Sequence, residues 1–218
     1  MTDLQLPYFL SLPVGDGPRP GIVVIHEGYG MSPQLLRIAE RFSAEGYAAC
    51  APDFFFRSGG PEAADFATLI SAITPDVLRA DLATAIALLR AAGATSIGVT
   101  GFCMGGWFAY RAARWAEELG VSAAVPFYGA QISRELGHVG CPTLLFFGGR
   151  DQYIPAAEIE AVQRHHGDDV VVYPDAEHGF MRDGSPNYHP GHAPDAWKRA
   201  LDFFAANLRQ QPTPEVGG

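Results

Sequence analysis

Ser96–Tyr110 reads SIGVTGFCMGGWFAY. An apolar, β-branched run passes through Gly101-Phe102-Cys103-Met104-Gly105 straight into helically spaced residues, so the segment predicts a strand, a sharp turn and a helix. In such a G-x-C-x-G turn the central residue sits on strained backbone, and the glycines leave room for the turn and for close helix packing. The Cys103 thiol is thereby lifted to a helix N-terminus. There, unpaired N–H groups and the helix dipole favour a thiolate and, later, an oxyanion.

Outward from this elbow, strand and helix alternate. Gly21–His26 (GIVVIH) is a nearly continuous apolar run, the pattern of a strand buried on both faces. Ser32 and Pro33 predict the start of a helix carrying Leu35, Ala39 and Phe42, stopped by Gly46. A second short strand, Ala48–Ala51, ends at Pro52. Thr74-Pro75 opens a helix with Leu78, Leu82, Ile86 and Leu89 in one stripe. The chain after Cys103 is expected to stay helical to about Glu118. Strands are predicted at 123–127, 143–147 and 170–173, a helix near Pro155, and a last helix with Trp197, Leu201 and Phe204 on one face. This series predicts one α/β domain over residues 1–209, with a mostly parallel sheet covered by helices on both faces and a flexible C-terminal tail, 210–218. Only about 15 residues separate two of the strands, too few for a cap domain.

The 218 residues include 15 basic and 24 acidic side chains, for a net charge of -9, and no basic cluster that could follow a phosphate backbone. Nucleic acid and anionic membranes are poor partners for such a chain. No stretch approaches the length of a membrane span and the N-terminus lacks a signal-like pattern, so a soluble cytoplasmic protein is expected. Cys50, Cys103 and Cys141 are odd in number and show no CxxC spacing, which suggests neither a disulfide framework nor a thiolate zinc site. Cys50 and Cys141, beside strand starts, read as small buried hydrophobes.

A cysteine nucleophile needs a base and an acid to orient it, and in a parallel sheet these gather beyond the carboxyl ends of later strands. Gly148-Gly149-Arg150-Asp151 and Pro174-Asp175-Ala176-Glu177-His178 supply Asp151 and His178 in such loops. Asp175 and Glu177 compete with Asp151, but lie so near His178 in sequence that they point poorly at its far nitrogen. His26, His138, His165, His166, His189 and His192 read as structural or solvated. His189 and His192 are spaced like a metal pair but lack a matching acidic or thiolate cluster, so no metal is assigned. The first strand ends in His26-Glu27-Gly28-Tyr29-Gly30, where the Gly28 amide joins that of Met104 as an oxyanion-hole pair. Glu27, at the mouth of the same cleft, would repel a thiolate and hold the resting cysteine neutral.

HEGYG, APDFF, GFCMGG, GGRD and EHGF, in this order, resemble the dienelactone hydrolase family of the α/β-hydrolase superfamily. The resemblance covers about Gly21 to Leu208. It implies an α/β-hydrolase fold, a catalytic triad of Cys103, Asp151 and His178, and no cofactor. It also implies that Glu27 partners the cysteine and that substrate relieves an inactive resting thiol. The expected substrate is a small ester or lactone. In the name-giving enzymes a free carboxylate is held by two arginines; Arg182 matches the second, and Tyr29 joins it as a substrate-binding candidate. The first has no match, since residues 62–76 hold no arginine; Arg57 and Arg150, in adjoining loops, are candidate substitutes. Two other classes remain open: a non-catalytic binding domain of the same fold, whose signature would be a broken triad, and a redox-sensing cysteine protein, which needs a resolving thiol near Cys103.

Overall fold

The computed structural model describes residues 5–15 and 17–208. The expected tail, 210–218, lies outside the described residues. Among these described residues seven strands form one sheet: β1 (Tyr8–Ser11), β2 (Arg19–Ile25), β3 (Ala48–Pro52), β4 (Ala94–Phe102), β5 (Ala123–Phe127), β6 (Leu145–Gly148) and β7 (Val170–Tyr173), in the order β1-β3-β2-β4-β5-β6-β7. Every pairing is parallel except β1 with β3, where Tyr8 faces Pro52 and Ser11 faces Ala49. The α/β expectation therefore holds, with an antiparallel edge strand added to it.

Among the described residues seven α-helices accompany the sheet: α1 (Pro33–Ala44), α2 (Phe66–Ser71), α3 (Pro75–Ala91), α4 (Met104–Arg114), α5 (Ala116–Leu119), α6 (Ala156–His166) and α7 (His192–Asn207). Ser32 caps α1 by accepting from the Leu35 amide, and Thr74 caps α3 by accepting from that of Val77. The period of the strands sorts the core into two layers. Ile22 and Val24 point to the face where Phe42 of α1 packs on Trp197 and Phe204 of α7; Val23 and Ile25 point to the face of α3 and α4.

The helix expected to run to Glu118 is interrupted at Trp115. The Gly140 amide donates to the Ala113 carbonyl at 2.8 Å, taking an acceptor that a continuous helix would have used. The strand expected from Thr143 starts at Leu145, leaving Thr143 in a single bridge to Ala124. Between β5 and β6 the chain makes only a short 3₁₀ turn, Ile132–Arg134, with no inserted cap. Among the described residues no helix is long and apolar enough to cross a membrane.

α4 sets the position of the elbow. A Cβ on Gly105 would come within 2.6 Å of the His26 carbonyl, and one on Gly106 would collide with the Phe127 carbonyl. Only glycine lets the helix start wedge between the ends of β2 and β5.

Candidate active site

Cys103 stands between β4 and α4 at φ 55° and ψ -117°, a conformation that costs a non-glycine residue about 1–3 kcal/mol. Its own amide is tied to the Phe127 carbonyl at 3.1 Å, and its carbonyl accepts from Gly106 and Trp107. The turn is thus over-determined by β5 and α4, which holds the partly exposed thiol at the N-terminus of α4. The amides of Gly28 and Met104 donate to no other described residue.

His178 follows β7 and is buried. Its Nδ1 lies 2.7 Å from Asp151 Oδ2; because a carboxylate can only accept, Nδ1 carries the proton. The other Asp151 oxygen accepts the amides of Tyr153 and Ile154 at 2.8 and 3.1 Å, and the Asn187 side chain donates to the His178 carbonyl. Nε2 of His178 is buried without a hydrogen-bond partner. Burial alone would lower the pKa of this imidazole, but Asp151 and the neighbouring Cys103 outweigh it and push it up to about 10.

Asp175 and Glu177, the sequence rivals of Asp151, are both exposed. Asp175 instead lies 2.6 Å from His192 Nε2 and 3.4 Å from His189 Nε2. This corrects the expectation that those histidines lack an acidic neighbour. It does not by itself make a metal centre, because His189 Nδ1 accepts the amides of Gly191 and His192. A neutral ring accepting at Nδ1 has its proton on Nε2, the atom facing Asp175, which suits a hydrogen-bonded clamp rather than ligation.

Glu27 sits at the end of β2. Tyr128 Oη donates to its Oε1 at 3.4 Å and Arg182 Nε lies 3.7 Å from Oε2. Burial raises its pKa against the opposing charges of Arg182 and His178. Arg182 also lies over the Tyr29 ring, 3.8 Å from its centroid, so the two substrate-binding candidates already touch. Arg57 is not free to replace the missing arginine. Its guanidinium grips Asp81 of α3 through two bonds of 2.6 and 2.8 Å. Arg150 is exposed, and no described hydrogen bond or ion pair ties its side chain to Glu27, Cys103 or His178.

Sequence reasoning missed four contributors. Tyr128, just past β5 and at φ 38°, places its ring 5.0 Å from that of His178. Its pKa is raised well above the usual value by burial and by the nearby acid Glu27, so it stays a neutral donor. Tyr153 sets its ring 4.9 Å from His178, and Phe66 of α2 packs against Gly28; both rings are exposed. His26, fully buried and kept neutral by desolvation, accepts the Phe54 amide at Nε2 and donates to the Glu27 carbonyl from Nδ1. It thereby fixes the loop that carries Glu27 and Gly28. Position past a strand end was the available signal for Tyr128 and His26; nothing local marked Phe66 or Tyr153.

The description "Dienelactone hydrolase family" matches residues 6–208. The chain is 32% identical to a "Putative carboxymethylenebutenolidase" of Salmonella typhimurium, over 91% of this chain and 81% of that one. A protein of the same name from Escherichia coli K12 is also 32% identical, over 87% and 78%. Among solved structures, a "Putative Dienelactone Hydrolase" from Klebsiella pneumoniae superimposes with a TM-score of 0.81, at 29% identity and 92% coverage of both chains. The fold is that of the α/β-hydrolases, and the chain is a hydrolase that belongs to the dienelactone hydrolase family.

Proposed function

We propose that residues 1–209 form a cytoplasmic, cofactor-independent hydrolase of small carboxylic esters or lactones, with Cys103 as nucleophile, His178 as base and Asp151 as its orienting acid. The observation that carries this reading is His178 itself: Nδ1 is held by a buried carboxylate while Nε2 is buried and unpartnered beside the strained cysteine. The thiol proton passes to Nε2, giving the imidazolium–thiolate pair that the raised His178 pKa favours, the sulfur attacks the carbonyl carbon, and the oxyanion rests on the Gly28 and Met104 amides. His178 returns the proton to the departing alkoxide, then accepts one from the water that hydrolyses the thioester.

Glu27 and Arg182 prepare this step. Burial raises the Glu27 pKa and Arg182 opposes it, so a substrate carboxylate that draws Arg182 away shifts Glu27 towards its neutral acid. A neutral Glu27 no longer repels a thiolate on Cys103. Tyr29, Phe66 and Tyr153 offer rings from two loops and the start of α2 around the mouth, which suits a small unsaturated or aromatic ester.

The rival redox reading lacks its second thiol. Cys50 and Cys141 are buried, and desolvation pushes them up to about 12 and about 11, far from a reactive thiolate. Cys103→Ala with a small aryl ester is the direct test of the hydrolase. Turnover is expected to fall to background, and undiminished turnover would remove the nucleophile assignment.

A further inference from the structure

Away from the elbow, a cavity of about 280 Å³ opens between α1, the loop following His178 and the start of α7. Phe102, Met181 and Trp197 supply its apolar wall, while Arg37 and Arg41, one turn apart on α1, supply positive charge. Among the described residues neither guanidinium has a carboxylate partner, and Arg41 lies 4.0 Å over the Trp197 ring. Two cations favour an anion, and the indole and phenyl rings favour a planar one. Asp183 is the single carboxylate in the lining. It repels a second negative group, so a monoanion is preferred to a dianion.

We propose that this cavity is a second binding site for a small planar monocarboxylate, held by Arg37 and Arg41 against Trp197. Such acids are the class of product that an ester hydrolase releases; this connection rests on the function proposed above, whereas the binding itself does not. The walls link the cavity to the elbow. Phe102 precedes Cys103, Met181 precedes Arg182, and Gln34 Nε2 donates to the Met181 carbonyl at 3.2 Å. A narrower space that shares Gln34 and Phe102 with the cavity continues to Glu27 and Tyr128.

Isothermal titration with sodium benzoate tests the site on the intact wild-type chain, on the Arg37→Gln/Arg41→Gln double variant and on Arg182→Ala. Wild type is expected to bind saturably, and the double variant about tenfold or more weakly, the scale of one lost charge-assisted hydrogen bond. Arg182→Ala should bind within about twofold of wild type, as expected for a separate site. Phthalate, which adds a second carboxylate, should bind more weakly than benzoate, and the double variant should keep wild-type turnover when no benzoate is present. Absence of saturable heat, undiminished binding in the double variant, or binding lost only in Arg182→Ala would each overturn the proposal. A failure of the hydrolase reading would instead appear as wild-type protein inert towards esters, with the titration unaffected.

Discussion

Asp151→Asn separates orientation of His178 from mere occupancy of the acid position. One Asp151 oxygen accepts two amides, from Tyr153 at 2.8 Å and Ile154 at 3.1 Å, and the other meets His178 Nδ1 at 2.7 Å. An asparagine must keep its carbonyl on those two amides, because its NH₂ group cannot accept, and the NH₂ then faces His178. The imidazole is forced to accept at Nδ1, to carry its proton on Nε2 and to present a proton to Cys103 where the reaction needs a lone pair. The Asp151 side chain is 0% exposed, so no water relieves the mismatch. Loss of the acid's charge with the geometry kept costs a triad about 10⁴ in kcat, or roughly 5 kcal/mol of barrier. We expect that scale for an aryl ester under saturating conditions. A second readout is alkylation of Cys103 by iodoacetamide as a function of pH. Burial lowers the His178 pKa while Asp151 raises it, so removing the carboxylate moves the His178 transition down from about 10 and changes the alkylation profile with it. A kcat within about tenfold of wild type, together with an unchanged profile, would refute this account of Asp151.

Three further outcomes follow from the same geometry. Glu27→Gln should stabilise the fold: the carboxylate's pKa is raised by burial, so its charged form costs stability as pH rises above 4.5. The melting-temperature gap to wild type should open over that range, at roughly 2–4 °C per kcal/mol of desolvation removed, and a gap of opposite sign would exclude a buried, strained carboxylate. His178 has the opposite relation to pH, since its folded pKa of about 10 exceeds the unfolded value of 6.5. Its contribution is complete below 6.5 and lost as pH rises towards 10, so the melting gap between wild type and His178→Gln should shrink across that window; a constant gap would contradict the shift. Arg182→Ala should raise KM for esters bearing a carboxylate by about tenfold more than for neutral analogues, the scale of one charge-assisted bond. Equal effects on both substrates would remove Arg182 from substrate recognition.

The parts of the fold legible in the sequence are those decided by neighbours in the chain. Ser32 and Thr74 cap helices through bonds three residues long, and the G-x-C-x-G spacing specifies a turn that only glycine at positions 101 and 105 can close. The parts that were not legible are decided across the chain. β1 is four residues long and exists because it pairs with β3 from Tyr8 to Ser11, a register no local pattern announces. The break at Trp115 comes from Gly140, a residue more than twenty positions away. Asp175 resembled a rival acid by its closeness to His178, yet the fold turns it towards His189 and His192, while Asp151 reaches His178 across 27 positions.

The arginines carry the same lesson into substrate choice. Sequence offered Arg57 and Arg150 as replacements for a missing cation, and charge alone could not rank them. The structure removes Arg57, which satisfies Asp81, a carboxylate only 2% exposed that could not lose its partner without a large desolvation cost, and it brings the exposed Arg150 side chain into no described hydrogen bond or ion pair with Glu27, Cys103 or His178. Arg182, by contrast, is shared between Glu27 at 3.7 Å and the Tyr29 ring, contacts that a substrate can exchange. On the proposed reading the mouth thus offers one exchangeable cation. A substrate with one carboxylate can replace Glu27 on it, whereas a second carboxylate would find only Glu27 and the three rings. Charge accounting therefore points to esters or lactones that are neutral or carry a single negative charge, with their remaining surface apolar and planar.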